Sequence, residues 1–147
     1  MARLVMSFRE PGSWDDLIED AVATLPALRA SGKKLGIVSN ADGTVEARLR
    51  AAGICQVGPG AGVAMDVIID SGVVGVRKPE PAIFGLALEA LGITADEAIH
   101  VGDSLITDVG GARAAGIRPI HIDPFRICPH RDDHEHIETL AEVLGLR

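Results

Sequence analysis

Apolar residues recur along this chain in two alternating patterns. Some are spaced three and four positions apart, as on one face of an amphipathic helix. Others form short runs between turn-forming residues, which is typical of buried parallel strands. The first pattern predicts helices over 14–30, 44–52, 80–91, 108–115 and 134–144. The second predicts strands over 35–39, 66–69, 98–101 and 119–122.

Local signals mark the ends of these elements. Pro26 lies inside the first predicted helix and is expected to kink or divide it. Thr94 and Glu97 have the spacing of a capping box, which predicts a short turn before the third strand. Four predicted helices are each followed by a glycine suited to a left-handed C-terminal position: Gly32, Gly53, Gly92 and Gly116.

Strands that alternate with helices indicate an α/β protein with a doubly wound parallel sheet in a three-layer α/β/α arrangement. We find no repeat or linker that divides the chain, so a single domain is expected over 1–147, with its core over 14–147 and a separate N-terminal segment over 1–13. In such sheets the ligand crevice lies beyond the carboxyl ends of the strands. The residues that follow each strand are therefore the candidates for function.

Composition narrows the classes of function. The chain has 147 residues, of which 47% are hydrophobic and 24% charged, which is a globular composition. Its net charge is 14 − 21 = −7, and this argues against a nucleic-acid partner. Apolar runs stay well short of the ~20 residues of a membrane helix, and the start lacks a signal-peptide pattern. We therefore expect a cytoplasmic protein with no membrane association.

Polar residues gather after the predicted strands. Ser39 and Asn40 follow the first strand and lead through a turn into a helix N-terminus, an arrangement that can bind an anion, although both can equally be simple helix caps. Lys78 precedes the next long helix and could reach that anion or lie in solvent. Asp103 and Asp108 stand at a strand end and a helix start, as carboxylate ligands of Mg²⁺ would. Asp108 could instead only cap its helix.

Three segments resemble the haloacid dehalogenase-like hydrolase superfamily, in the branch with a helical cap inserted after the first strand. Residues 36–40 are similar to its second motif, 76–84 to its third and 100–116 to its fourth. The resemblance implies a Rossmann-like core that binds Mg²⁺ and a small phosphorylated substrate. It also implies a role for each residue: Ser39 and Asn40 bind the phosphoryl group, Lys78 neutralises it and orients the nucleophile, Asp103 ligates Mg²⁺, and Asp108 supports that metal site.

The first family motif is missing. Members attack phosphorus with the first Asp of an Asp-x-Asp motif at the end of the central strand, and no two aspartates in this sequence stand two positions apart. Asp70 is a poor substitute because Gly72 occupies the place of the acid/base. The resemblance therefore predicts phosphatase ancestry with an inactive or truncated chain. A non-catalytic relative that binds phosphate or a partner is the alternative, whereas a response-regulator-like domain lacks its acidic cluster here.

The absence of the first motif also affects the sheet, because in the family that motif lies at the end of the central strand. A parallel sheet without its central strand would leave buried backbone groups unpaired, at ~1–3 kcal/mol each. The segment 1–8 contains Leu4, Val5, Met6 and Phe8. We therefore expect either that this segment fills the central slot as a strand, or that the chain forms a homodimer across the exposed sheet edge.

The C-terminal region raises a separate question. Cys128, His130, His134 and His136 offer one thiol and three imidazoles within nine residues, which are the ligand types of zinc sites. Their spacing is irregular, and the segment can also be interpreted as a polar loop in which Asp133 caps the final helix. The sequence leaves both interpretations open.

Overall fold

A computed structural model describes residues 3–6 and 15–146, with side chains described from Glu19 onward. The strands are β1 Arg3–Met6, β2 Leu35–Ser39, β3 Cys55–Val57, β4 Val63–Met65, β5 Val67–Asp70, β6 Ala98–Gly102, β7 Arg118–Ile122 and β8 Glu135–Ile137. The α-helices are α1 Asp15–Ala30, α2 Val45–Ala51, α3 Ser71–Val74, α4 Pro81–Leu91 and α5 Gly111–Ala114. Short 3₁₀ segments cover Ala95–Glu97 and Leu140–Gly145, and a π-helical turn covers Leu105–Gly110.

The main sheet has six parallel strands in the order β5-β2-β1-β6-β7-β8. β1 lies in its middle, where Val5 is paired with Gly36 of β2 on one side and with His100 of β6 on the other. The expectation that the N-terminal segment fills the central slot is therefore confirmed for Arg3–Met6. The alternative was dimerisation, which was expected only if an empty central slot left backbone groups unpaired. Because β1 pairs with β2 and β6, that reason for a dimer no longer applies.

Two apolar cores lie against the two faces of the sheet. Successive residues of β2 show the alternation, because Ile37 belongs to one core and Val38 to the other. The first core receives side chains from α1, α2 and the C-terminal 3₁₀ segment, and the second from α4 and α5. The predicted three-layer α/β/α fold is confirmed.

The predicted helices and strands between residues 14 and 101 are all present, although the structure adds β3, β4 and α3, which were not predicted. Gly32, Gly53, Gly92 and Gly116 have φ values of 77°, 68°, 62° and 76°, in the left-handed region expected of them. Thr94 and Glu97 form the predicted capping box. Pro26 is accommodated within the helix α1, which runs unbroken from Asp15 to Ala30, so the expected division does not occur.

The predicted final helix over 134–144 is wrong. Glu135–Ile137 instead forms β8, which pairs with β7, and Leu140–Gly145 forms a 3₁₀ segment. Exposure falls along β8 from the exposed Glu135 through the half-buried His136 to Ile137, whose side chain belongs to the first core. The buried residues Leu140 and Val143 are three apart, which suits a 3₁₀ turn. Asp133 caps no helix and instead pairs with Arg113 at 3.0 Å.

The predicted helix over 108–115 also begins differently. The chain first makes the π-helical turn Leu105–Gly110, and α5 follows only from Gly111. Ser104 starts the turn by accepting the Thr107 N–H at 3.2 Å. π-helical turns of this kind often occur at functional sites.

Candidate functional site

Lys78 is buried at the carboxyl-end edge of the sheet, with 3% of its surface exposed. Asn40, directly after β2, holds the backbone of this residue from both sides. The Asn40 side-chain oxygen accepts the Lys78 N–H at 2.8 Å, and its NH₂ group donates to the Lys78 carbonyl at 3.0 Å. Asn40 therefore positions Lys78 across 38 residues of sequence.

The carboxylate of Asp108 accepts hydrogen bonds from three groups of the site. Its Oδ1 lies 2.8 Å from Lys78 Nζ and 3.0 Å from His100 Nε2, and its Oδ2 accepts the Ser104 N–H at 3.1 Å. The side chains of Lys78, His100 and Asp108 are at most 3% exposed. The result is a buried ion pair with hydrogen bonds to both carboxylate oxygens, which is the condition for such a pair to be tolerated.

Burial and the neighbouring charges have opposite effects on the pKa values of Lys78 and Asp108. Burial lowers the pKa of Lys78, although the charges of Asp108 and Asp103 act in the opposite direction. Burial alone would raise the pKa of Asp108, but the His100 hydrogen bond and the Lys78 charge outweigh it and hold that pKa well below its usual value. Asp108 is therefore an anion across the physiological pH range.

Gly102 and Gly111 leave space for the side chains around Asp108, and Phe84 packs against His100. A Cβ at Gly102 would lie 2.2 Å from Asp108 Cγ, so only glycine lets that carboxylate approach the end of β6. On the other side, the Phe84 ring meets the His100 ring edge-on, with centroids 5.0 Å apart. A Cβ at Gly111 would lie 2.8 Å from the same Phe84 ring.

Asp103 and Ser39 lie at the carboxyl ends of β6 and β2, the two strands that flank the central strand β1. Asp103 directly follows β6, is partly exposed, and is near enough for its charge to act on Lys78. Its backbone carbonyl accepts a hydrogen bond from His121 Nε2 at 3.1 Å. Ser39 is the last residue of β2, is 2% exposed, and is paired in register with Asp70 of β5.

The loop after β2 differs from the expected anion site. The N–H groups of Gly43 and Val45 donate to Asp70 at 3.0 and 3.1 Å, and that of Ala41 donates to the Ser71 hydroxyl at 3.0 Å. The Thr44 N–H donates to Asp42 at 3.1 Å. The protein's own side chains therefore already use these four N–H donors. Phosphoryl binding through Ser39 and Asn40 stays a prediction.

The contacts of two residues of the site were not identified from sequence. Asp70 was considered only as a poor substitute nucleophile, but its carboxylate accepts the N–H of Val45 at the start of α2 at 3.1 Å and that of Gly72 at 2.9 Å. His100 lies inside an apolar strand and has no sequence signal beyond its being a histidine among aliphatic neighbours. Both depend on contacts between distant segments.

Comparison with known proteins decides the family. The family model described as haloacid dehalogenase-like hydrolase matches residues 8–116, which is most of the chain. This chain belongs to the haloacid dehalogenase-like hydrolase family. The region matched contains every residue of the Lys78 and Asp108 arrangement.

Relatives within the haloacid dehalogenase-like family include named phosphatases. The chain is 36% identical over 115 residues to haloacid dehalogenase-like hydrolase domain-containing protein 3 of Danio rerio, covering 78% of this chain and 44% of the relative. It is 30% identical over 141 residues to the ribulose-1,5-bisphosphate 5-phosphatase of Halopiger xanaduensis, covering 88% and 56%. It therefore spans about half the length of these curated relatives.

The fold is shared with a solved haloacid dehalogenase-like structure. A HAD phosphatase from Thermococcus onnurineus superposes with a TM-score of 0.75 at 34% identity, covering 86% of this chain and 55% of that one.

None of the helices in the described part of the chain has both the length and the apolar character needed to cross a membrane.

The donor set fits the metal dependence that is general among haloacid dehalogenase-like phosphatases. Asp103 and Asp108 supply carboxylate oxygens, the ligand type that hard divalent cations take. Asp108 already accepts three hydrogen bonds, so it suits a supporting role beside the ion. Asp103, partly exposed at the strand end, suits a direct ligand.

Proposed function

We propose that this domain is the phosphoryl-binding core of a Mg²⁺-dependent phosphatase that acts on small phosphorylated metabolites. The observation that carries the proposal is the buried Lys78–Asp108 ion pair, which Asn40 and His100 hold beside Asp103. A buried ammonium group of this kind can neutralise a phosphoryl oxygen. The phosphatase names of its relatives support the reaction class.

Each residue has a proposed role in this site. Ser39 donates its hydroxyl to the phosphoryl group, and Lys78 neutralises that group's charge. Asp103 ligates Mg²⁺, which would supply charge neutralisation of the phosphoryl oxygens when bound. Asp108 and Asn40 keep Lys78 in place. The side-chain amide of Asn40 therefore binds the backbone of Lys78 and does not contact phosphate directly.

Turnover needs one more group. The central strand β1 consists of Arg-Leu-Val-Met and contains no aspartate, and no Asp-x-Asp pair occurs anywhere in the 147 residues. We therefore propose that this chain, assayed as this sequence, binds phosphate together with Mg²⁺ without hydrolysing phosphate esters.

Two measurements on the same protein test the proposal. Orthophosphate binding in the presence of Mg²⁺ is measured by calorimetry, and hydrolysis is measured with p-nitrophenyl phosphate. We expect binding that Asp103→Asn weakens at least about tenfold, with hydrolysis at background. Asp96→Asn, at an exposed position in a 3₁₀ turn, is the matched control and should bind as the unmodified chain does.

The other outcomes are equally informative. Hydrolysis that Asp103→Ala abolishes would keep the phosphatase assignment and overturn the expected lack of turnover. Absence of both binding and hydrolysis in a folded protein would overturn the assignment of the site itself.

A further inference from the structure

A second group of potential ligands lies on β7 and β8, toward the β8 edge of the sheet. His121, Cys128, His134 and His136 place four donor atoms within 4.8 Å of one another, and we call these four residues the His–Cys cluster. Three are the residues already suspected from sequence. His121 takes the place of His130, which is exposed and lies outside the cluster.

The fold builds the cluster from two strands and their connection. His121 on β7 and His136 on β8 are register partners across the parallel pair. Cys128 and His134 come from the connecting segment between those strands. Parallel strands are usually joined by a helix, but residues 123–134 contain none. The connection therefore lacks the apolar packing that a crossover helix would provide.

Two distances within the His–Cys cluster are close to those of a tetrahedral zinc site. His121 Nδ1 lies 3.2 Å from His134 Nε2, which in turn lies 3.8 Å from Cys128 Sγ. Zn–N bonds of about 2.0–2.1 Å and Zn–S bonds of about 2.3 Å give tetrahedral edges of about 3.3 Å between nitrogens and about 3.6 Å between nitrogen and sulfur. Both observed distances lie close to these edges.

A hydrogen bond orients the His121 imidazole as a metal ligand. His121 Nε2 donates to the Asp103 carbonyl at 3.1 Å, which leaves the lone pair of Nδ1 facing the cluster. Metal-bound histidines commonly use their second nitrogen in this way. His134 Nδ1 points to Asp133 Oδ2 at 3.6 Å, at the edge of the cluster.

Burial gives an independent indication of a missing partner. His134 has only 1% of its side chain exposed. Within the described part of the chain, His134 Nδ1 and His136 Nε2 are buried without a hydrogen-bond partner. Leaving a buried polar atom unsatisfied costs ~1–3 kcal/mol. Because His134 Nδ1 faces Asp133, the atom that indicates a missing ligand is His136 Nε2, in a ring whose centroid lies 4.3 Å from that of His134. A buried, unsatisfied imidazole nitrogen in such a cluster is unusual unless a ligand completes the site.

We propose that the His–Cys cluster is a structural zinc site with one thiolate and three imidazole ligands. The site is separate from Lys78 and Asp108 and closes the β7–β8 connection, in the manner of four-ligand structural zinc centres. Its link to the phosphoryl site is the His121–Asp103 hydrogen bond. Zinc bound here therefore also steadies the loop that carries Asp103.

Metal titration of the full chain tests this proposal. The protein is stripped with a chelator and titrated with Co²⁺ and then Zn²⁺, with Mg²⁺ in excess to occupy the phosphoryl site. We expect one equivalent of tightly bound metal, a thiolate-to-cobalt charge-transfer band, and a higher melting temperature with Zn²⁺. Cys128→Ser should remove the charge-transfer band and weaken Zn²⁺ binding at least about 100-fold.

His130→Ala and Cys55→Ser are matched controls, because each removes the same type of ligand from outside the cluster. Both should bind Zn²⁺ as the unmodified chain does. A readout without substitution guards against misfolded variants, since Zn²⁺ should slow alkylation of Cys128 in the unmodified protein. Failure to bind a full equivalent of Zn²⁺, or equal binding by Cys128→Ser and His130→Ala, would overturn the proposal.

Discussion

Asp108 determines the properties of the phosphoryl site because Lys78, His100 and the Ser104 N–H all converge on its carboxylate. Replacing a single partner of a buried ion pair leaves the other charge uncompensated, whereas an exposed pair contributes little. The chain contains both kinds of pair. Lys78–Asp108 is buried, and Arg50–Glu46 on α2 is 60% and 40% exposed.

Asp108→Ala is therefore expected to lower the free energy of unfolding by about 3–5 kcal/mol, because Lys78 is left buried without its counter-ion. Arg50→Gln should change it by no more than about 0.5 kcal/mol. Urea unfolding followed by circular dichroism measures both. Equal losses in the two variants would contradict the assignment of Asp108 as the anchor of the site.

Acid unfolding should also report on Asp108. Its folded pKa lies below its unfolded value of about 3.9, since the His100 hydrogen bond and the Lys78 charge outweigh burial. The ionised carboxylate thus stabilises the fold above that unfolded value, and this contribution disappears as the pH falls below it. Between pH 7 and pH 3, the unmodified chain should lose more unfolding free energy than Asp108→Asn. Parallel curves for the two proteins would contradict this.

At the level of elements, the junction of β6 with the π-helical turn depends on a glycine. Gly102→Ala would place a Cβ 2.2 Å from Asp108 Cγ, whereas a Cβ at Gly85, exposed on α4, meets nothing within 4 Å. We expect Gly102→Ala to destabilise the fold by at least about 1–3 kcal/mol through overpacking. Gly85→Ala should stabilise it by roughly 0.5–1 kcal/mol through helix propensity. Thermal unfolding of the two variants should show shifts of opposite sign.

Elements with strong local patterns were predictable from sequence. β2 and α4 have continuous apolar signals and clear boundaries, so their positions required no knowledge of distant contacts. β8 was missed because Ile137, Leu140 and Val143 mimic a helical stripe, while the β7 pairing that decides the strand is a non-local contact.

The small β3–β4 pair was missed for a related reason. Its strands have three residues each and depend on the buried side chain of Gln56, which bonds to the backbone of Gly58 and Gly62. A polar residue with this role has no apolar pattern to reveal it. The same limit applies to the candidate site, where Lys78, Asp103 and Asp108 could be named from motifs but the contacts of Asn40 and His100 could not.

At the level of the whole molecule, β1 completes the sheet. Its backbone pairs on both sides, with β2 and with β6, and these two strands have no direct pairing with each other. Opening β1 therefore requires disruption of the centre of the sheet, which is the most stable class of opening event.

Amide hydrogen exchange tests the place of β1. The N–H groups of Leu4, Val5 and Met6 should exchange as slowly as those of β2 and β6, whereas those of the edge strand β8 should exchange faster. Exchange of β1 at the rate of an exposed loop would show that the sheet is stable without it. The comparison needs no substitution, so it is free of variant misfolding.

The central place of β1 also shapes how the chain folds. Arg3 pairs with Ala98, so the two partners are 98 − 3 = 95 positions apart. Contacts of such long range close late and make folding slow. On a ribosome that adds about 5–20 residues per second, β1 waits on the order of 5–20 s for its second neighbour to be synthesised. During that interval an apolar segment with unpaired edges needs protection, so the yield of folded protein should depend on chaperones that bind nascent chains.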